Sequence, residues 1–192
     1  MTASHAGRNL PRVPSSRITS ARDFDAPASR QLRQKQVRRK PMPPLVFKLK
    51  QKVPNASEAK SVGPFKAAIK RDSAAFKKLV RNDNPDVVFK SEESHKEDDH
   101  MMTPRLSEKV DALARLVRAE FPGIRLRITE AWDDSTVHAS TSRHLEGRAV
   151  DLTTSDRDGR KLGRLAGLAV EAGFDWVFFE NPLHVHASVK NE

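Results

Sequence analysis

The sequence predicts an α+β domain over residues 41–192, a small mixed sheet with packed helices, preceded by a basic segment over residues 1–40 that reads as disordered. Three observations carry this expectation. Apolar residues recur at helical spacing in some stretches and alternate with polar ones in others; the later stretches are joined by hairpin-like turns; and the excess positive charge sits in the first quarter of the chain. With 192 residues and 37% of them hydrophobic, the chain is long enough for one core and too short for several.

Residues 1–52 hold 13 Lys and Arg against 2 Asp and Glu, whereas residues 53–192 hold 22 against 23. The segment also carries Pro11, Pro14, Pro27, Pro41, Pro43 and Pro44, with Phe24 as its one aromatic residue before position 45. It cannot bury enough apolar surface to offset its chain entropy. The run Arg33, Lys35, Arg38, Arg39 and Lys40 would attract any polyanion, whether nucleic acid, anionic lipid or wall polymer, by counterion release. Nothing in the remainder adds a specific nucleic-acid site to that run, and a solvated tail that does nothing specific is the preferred reading.

From Pro43 the pattern changes. Phe65, Ile69, Phe76 and Val80 suggest a helix over 65–81, ended by Asn84-Pro85-Asp86 ahead of a short strand at 87–89. Thr103-Pro104 is a cap followed by a first-turn proline, and Leu106, Val110, Leu113, Val117 and Phe121 keep one apolar face until Pro122-Gly123. Ile124, Leu126 and Ile128 alternate with Arg125, Arg127 and Thr129, the period of a half-buried strand ending at Glu130. Residues 149–153 form another strand. Leu162, Leu165, Leu168 and Ala169 mark a second helix, with Ser155 or Asp156 as its cap and Gly173 as its left-handed stop. Residues 176–179 and 184–189 then pair across Asn181-Pro182.

The chain has no cysteine, which excludes disulfides, a thiolate nucleophile, cysteine zinc fingers and acylation through sulfur. No stretch reaches the ~20 apolar residues of a membrane span, and the N-terminus lacks the ~7–15-residue apolar core of a signal peptide. Arg38-Arg39 begins a pattern like a twin-arginine export signal, but Lys48 and Lys50 cut its apolar run short. The expectation is a soluble chain without membrane span or lipid anchor.

Chemistry must therefore come from histidine, carboxylates or serine, and the histidines are the informative set. His5, His95 and His100 fall in polar stretches, whereas His138, His144, His184 and His186 fall in the last third. Strand alternation puts His184 and His186 on one face of a sheet. A turn at Gly147 lets His144 and Asp151 converge on one point. Two histidines and one carboxylate, with a fourth position open, are the donors of a catalytic zinc site. Glu180, just before the turn that presents the histidine pair, stands where a general base is needed.

Three runs carry a resemblance: Arg127-Ile-Thr-Glu-Ala-Trp-Asp133, Arg143-His-Leu-Glu-Gly-Arg-Ala-Val-Asp151 with its continuation to Asp158, and Leu168-Ala-Val-Glu-Ala-Gly-Phe-Asp-Trp-Val-Phe-Phe-Glu180. Asn84-Pro-Asp-Val-Val-Phe-Lys-Ser-Glu-Glu93 and the stretch 43–54 extend it. Over residues 40–191 the chain resembles the hedgehog N-terminal signalling domain. That family shares its α+β fold with zinc D-alanyl-D-alanine peptidases, whose own motif is similar to Ser142-x-His144-x-x-Gly147-x-Ala149-x-Asp151.

The resemblance implies zinc on His144, Asp151 and His186, with Glu180 in the place of the peptidases' base and His138 and His184 lining the cleft to orient substrate or steady developing charge. It also implies a neighbouring calcium ion on Glu92, Glu93, Asp99, Glu130 and Asp133. Hard oxygen donors of that kind suit calcium, and such crowded carboxylates repel one another without a cation. Ser135 stands where many hedgehogs carry a calcium-binding Asp, so one calcium is expected and not two. The family's lipid-bearing cysteines, its secretory signal and its self-splicing extension have no counterpart in these residues. The expectation is a stand-alone relative of bacterial type: a zinc hydrolase of D-alanyl peptidase type acting on peptidoglycan-like peptides, exported or periplasmic if it meets the cell wall. The competing expectation is a binding module with structural zinc and a protein partner at the calcium face.

Overall fold

The computed structural model describes residues 43–90, 97–135 and 138–191. Six strands form one sheet in the order β1-β7-β8-β6-β5-β3: β1 (Lys52–Val53), β3 (Val87–Phe89), β5 (Leu126–Glu130), β6 (Ala149–Thr154), β7 (Trp176–Asn181) and β8 (His184–Ser188). Every neighbouring pair is antiparallel except β3 and β5, which run parallel. A separate ribbon pairs β2 (Val80–Arg81) with β4 (Met101–Met102).

The longest helix, α2 (Pro104–Glu120), starts as its sequence requires. The Thr103 hydroxyl accepts the Leu106 N–H, and Pro104 costs no hydrogen bond in the first turn. Leu106, Val110, Leu113, Ala114 and Val117 are all buried along one face. The helix α3 (Leu162–Glu171) buries Leu162, Leu165, Ala166, Leu168 and Ala169. Both apolar faces enter one core with Leu126 and Ile128 of β5, Val150 and Leu152 of β6, Val177 of β7 and Val185 and Ala187 of β8. Each such side chain removed from water contributes about 1.5–3 kcal/mol. The alternate residues of β6 and β8, Asp151, His184 and His186, necessarily project from the opposite face. The fold thus spends one sheet face on the core and keeps the other for chemistry.

Two elements depart from the sequence expectation. Residues 65–81 contain no α-helix, only a 3-10 turn at Phe76–Lys78 and then β2. Their backbone groups are engaged at long range instead: Ile69 N–H donates to the Leu145 carbonyl, and the Ile69 carbonyl accepts the indole N–H of the fully buried Trp132. The cap before α3 is neither Ser155 nor Asp156. Asp158 accepts the Arg160 N–H at a 3-10 turn, Gly159–Lys161, that leads into α3. The sequence also gives no warning of the short helix α1 (Glu58–Val62), which is capped by the Ser57 hydroxyl.

Candidate metal centre

His144 stands on a buried 3-10 turn, His144–Glu146. The turn ends at Gly147 with φ 62°, in the left-handed region that favours glycine. A buried network fixes this segment: Glu146 accepts the Lys66 N–H at 2.9 Å and pairs with Arg148 at 2.5 Å, while Arg148 also donates to the carbonyls of Val62 and Val189. The next strand, β6, delivers Asp151, and its cross-strand partner on β8 is His186.

These elements bring His144, Asp151 and His186 together. His144 Nε2 lies 3.3 Å from His186 Nδ1 and 3.5 Å from Asp151 Oδ1, and the latter two atoms are 3.0 Å apart. A tetrahedral ion with ligands at about 2.0–2.1 Å has edges of about 3.3 Å, so the triangle has the right size for zinc. The other nitrogen of each ring is also committed. His144 Nδ1–H donates to the Ala131 carbonyl at 2.8 Å, and His186 Nε2–H donates to Glu58 Oε1 at 2.9 Å. With those tautomers, two imidazole lone pairs and a carboxylate oxygen face one point, an arrangement that calls for a cation or a proton.

The charges answer accordingly. Burial opposes ionisation of Asp151, but hydrogen bonds from His144 and His186 hold its carboxyl well below the usual range. Burial likewise opposes a charged His186, yet Asp151 and Glu58 push its imidazole up to about 10. Without metal, a proton on His186 takes the ion's place. Glu58 is the member of this site that sequence reasoning missed. It comes from α1, 128 residues before His186, and no local spacing could have signalled it.

The remaining expected residues fall around this centre. His184 Nε2 lies 2.9 Å from Glu180 Oε2 and 3.4 Å from Asp151 Oδ2, so the three side chains form a second cluster beside the first. Asp151 and His184 also line a cleft of about 370 Å³ together with Lys90, Arg127, Glu130 and Arg157, and Glu180 is not among its lining residues. Register shifts in the β5–β6 and β7–β8 ladders, next to Glu130 and Asn181, aim these side chains. The His138 ring stacks on His144 with centroids 4.9 Å apart, but its Nε2 is 2.6 Å from Glu130 Oε1 and 3.3 Å from Asp133 Oδ2. It therefore meets Glu130 and Asp133 while its face packs on the first site. Asp99 is buried, with Oδ1 accepting the Ala131 N–H at 3.2 Å. Glu92 and Glu93 lie outside the described residues. His100 stacks on Phe89 at 3.8 Å, a packing role.

The model of the hedgehog amino-terminal signalling domain matches residues 26–188. The chain is similar to the Tiggy-winkle hedgehog protein of Danio rerio, at 48% identity over 155 residues, which is 80% of this chain and 36% of that protein. It is 49% identical over 155 residues to the Sonic hedgehog protein of Xenopus laevis, again 80% of this chain and 34% of the relative. With the hedgehog protein of Drosophila persimilis it shares 50% over 151 residues, 78% of this chain and 31% of that one. The chain spans about a third of the length of the curated relatives it matches. Among the described residues, no helix is long and apolar enough to cross a membrane.

Proposed function

The chain belongs to the hedgehog amino-terminal signalling domain family, and from that premise we propose that it is a zinc-bearing module that binds a protein partner. His144, Asp151 and His186 would hold the zinc. The observation that carries this is the convergence of three donor atoms on one point, with each ring fixed from behind by the Ala131 carbonyl or Glu58. Zinc in a site with an open position supplies a Lewis acid for an incoming oxygen. The adjoining cleft carries both signs of charge, Lys90, Arg127 and Arg157 with Glu130 and Asp151, and would present a polar face to that partner. Glu92, Glu93, Asp99, Glu130 and Asp133 are the oxygen donors for a calcium ion that would shape the neighbouring face. A signalling module meets its partner outside the cell, so export goes with this reading.

A second reading, hydrolysis of D-Ala-containing or peptidoglycan-type peptides, is favoured by one observation. A Glu180 donor oxygen lies within 4.8 Å of donor atoms of Asp151 and His184, where its carboxylate could take a proton from water. Against it, Glu180 is paired with His184 at 2.9 Å and 42% exposed, the situation of a solvated ion pair more than of a poised base.

Elemental analysis of the purified chain, with hydrolysis of muropeptides and D-Ala-D-Ala peptides on the same sample, separates the two. The binding module predicts bound zinc, no cleavage, a lower Tm for His144→Ala and an unchanged Tm for Glu180→Ala. Chelator-sensitive cleavage lost in Glu180→Ala would establish the hydrolase, and a chain without zinc would contradict both.

A further inference from the structure

We infer that a pocket built between the His144–Glu146 turn and the start of α2 binds a small carboxylate with an apolar body. The pocket shares that turn with the metal centre but none of its three ligands, and it stands apart from the partner-binding reading above.

Its volume is about 480 Å³, within the range of about 300–1,000 Å³ found for small-molecule sites. Ala67, Ile69, Ala75, Leu79 and Pro104 make the walls apolar. Covering them favours a ligand with aliphatic groups, and they offer no hydrogen bonds to a bare phosphate. The walls are held to the turn by backbone bonds: Ile69 N–H donates to the Leu145 carbonyl at 2.7 Å, and Thr103 N–H donates to the Gly147 carbonyl at 2.9 Å. The concave shape therefore exists before any ligand arrives.

The polar part of the lining is cationic. Lys66, Lys78, Arg148 and Lys190 face one carboxylate, Glu146. Lys190 also meets Asp175 at 3.7 Å, whereas Lys66 and Lys78 are exposed and have no carboxylate partner among the described residues. Deeper in, Arg143 and Arg148, each 3% exposed, share Glu146 at 3.9 and 2.5 Å. Two buried guanidinium groups thus meet one carboxylate within ion-pair distance, and Arg148 Nε is buried with no hydrogen-bond partner. Buried charge left short of a counter-ion is costly, and a monoanion seated against Arg148 offsets it. The first turn of α2, at Thr103 and Pro104, adds the partial positive charge of a helix N-terminus. Lys66 and Lys78 at the rim draw the anion in.

A fatty acid and the chain end of a peptide both present this chemistry. Titration of the labelled full chain with octanoate, N-acetyl-leucine, octanol and inorganic phosphate, followed by backbone amide signals, tests the site and separates the two sources. Octanoate or N-acetyl-leucine should give saturable shifts at Lys66, Ile69, Leu79 and Thr103, and the tighter of the two identifies the source. Octanol should bind at least about tenfold more weakly, and phosphate should leave these signals in place. Lys66→Glu combined with Lys78→Glu, two exposed positions, should weaken carboxylate binding by about tenfold or more while zinc content and Tm stay unchanged. Ala75→Trp, which fills the mouth from an exposed wall position, should abolish it. No saturable shift up to about 10 mM, equal binding of octanol, the same shifts from phosphate, or unchanged binding in the double lysine variant would each overturn the site and leave the zinc reading untouched.

Discussion

Glu58 and His186, 128 residues apart in sequence, meet at 2.9 Å, and the Glu58 carboxylate thereby decides which nitrogen of His186 faces Asp151 and His144. A carboxylate behind a ligating histidine fixes the tautomer and raises ligand basicity. Glu58→Ala should weaken zinc binding by about 10–100-fold, the usual cost of losing such a partner. Glu58→Gln should recover part of it, since the amide oxygen still accepts from Nε2. Competition with a colorimetric zinc chelator measures both; unchanged affinity in Glu58→Ala would show that His186 needs no orienting group.

Zinc binding should release a proton. Burial works against a charged His186, but Asp151 and Glu58 push its imidazole up to about 10, so the metal-free chain carries that proton near neutral pH. The ion must displace it, and affinity should fall as pH falls. Calorimetry in buffers of different ionisation enthalpy should report release of about one proton per zinc bound. A binding heat independent of the buffer would contradict the protonated metal-free state.

A pH dependence of stability should also arise outside the metal-binding trio, at Asp175. Burial opposes its charge, but the Lys190 N–H and the Arg105 guanidinium, each at 2.9 Å, hold its carboxyl below the usual value. A carboxyl lowered on folding adds stability above its unfolded pKa of about 3.9 and loses it as pH drops through the folded value. Asp175→Asn should cost about 1 kcal/mol at neutral pH, with the difference from wild type shrinking below about pH 4. Denaturant melts across that range provide the check, and a constant difference would exclude the ion pair as its source.

Gly167 tests how the segment before β1 is seated. A Cβ there would lie 1.9 Å from the Leu45 carbonyl oxygen, a backbone atom that cannot swing aside, and one at Gly163 would lie 2.5 Å from the Phe47 carbonyl oxygen. Phe47 N–H donates to the Gly163 carbonyl, tying the segment to α3 at the same place. Gly167→Ala should destabilise by about 1–3 kcal/mol despite alanine's better helix propensity. It should also speed protease cleavage near residue 45, and a stabilised variant would mean that the segment does not pack on α3.

Much of this was legible in the sequence where the governing interactions are local. The Thr103-Pro104 start and apolar spacing predict α2, and the alternation around Leu126 and Ile128 predicts β5. The alternation that places His184 beside His186, with the turn at Gly147, foretells the side chains that gather at the metal centre. What escaped depends on distant partners. The helix expected over 65–81 gives way because Ile69 bonds to Leu145 and Trp132. Glu58 reaches His186 only through the pairing of β1 with β7, which brings α1 to the site. His138 meets Glu130 and Asp133 just beyond the end of β5, a meeting without a sequence signature.

The most direct test is anomalous diffraction at the zinc edge from crystals of the chain supplied with one equivalent of zinc. A single strong peak is predicted among His144 Nε2, His186 Nδ1 and Asp151 Oδ1, at about 2.0–2.2 Å from each. Zinc found elsewhere, or a trio still bridged by a proton with no ion among its members, would contradict the account.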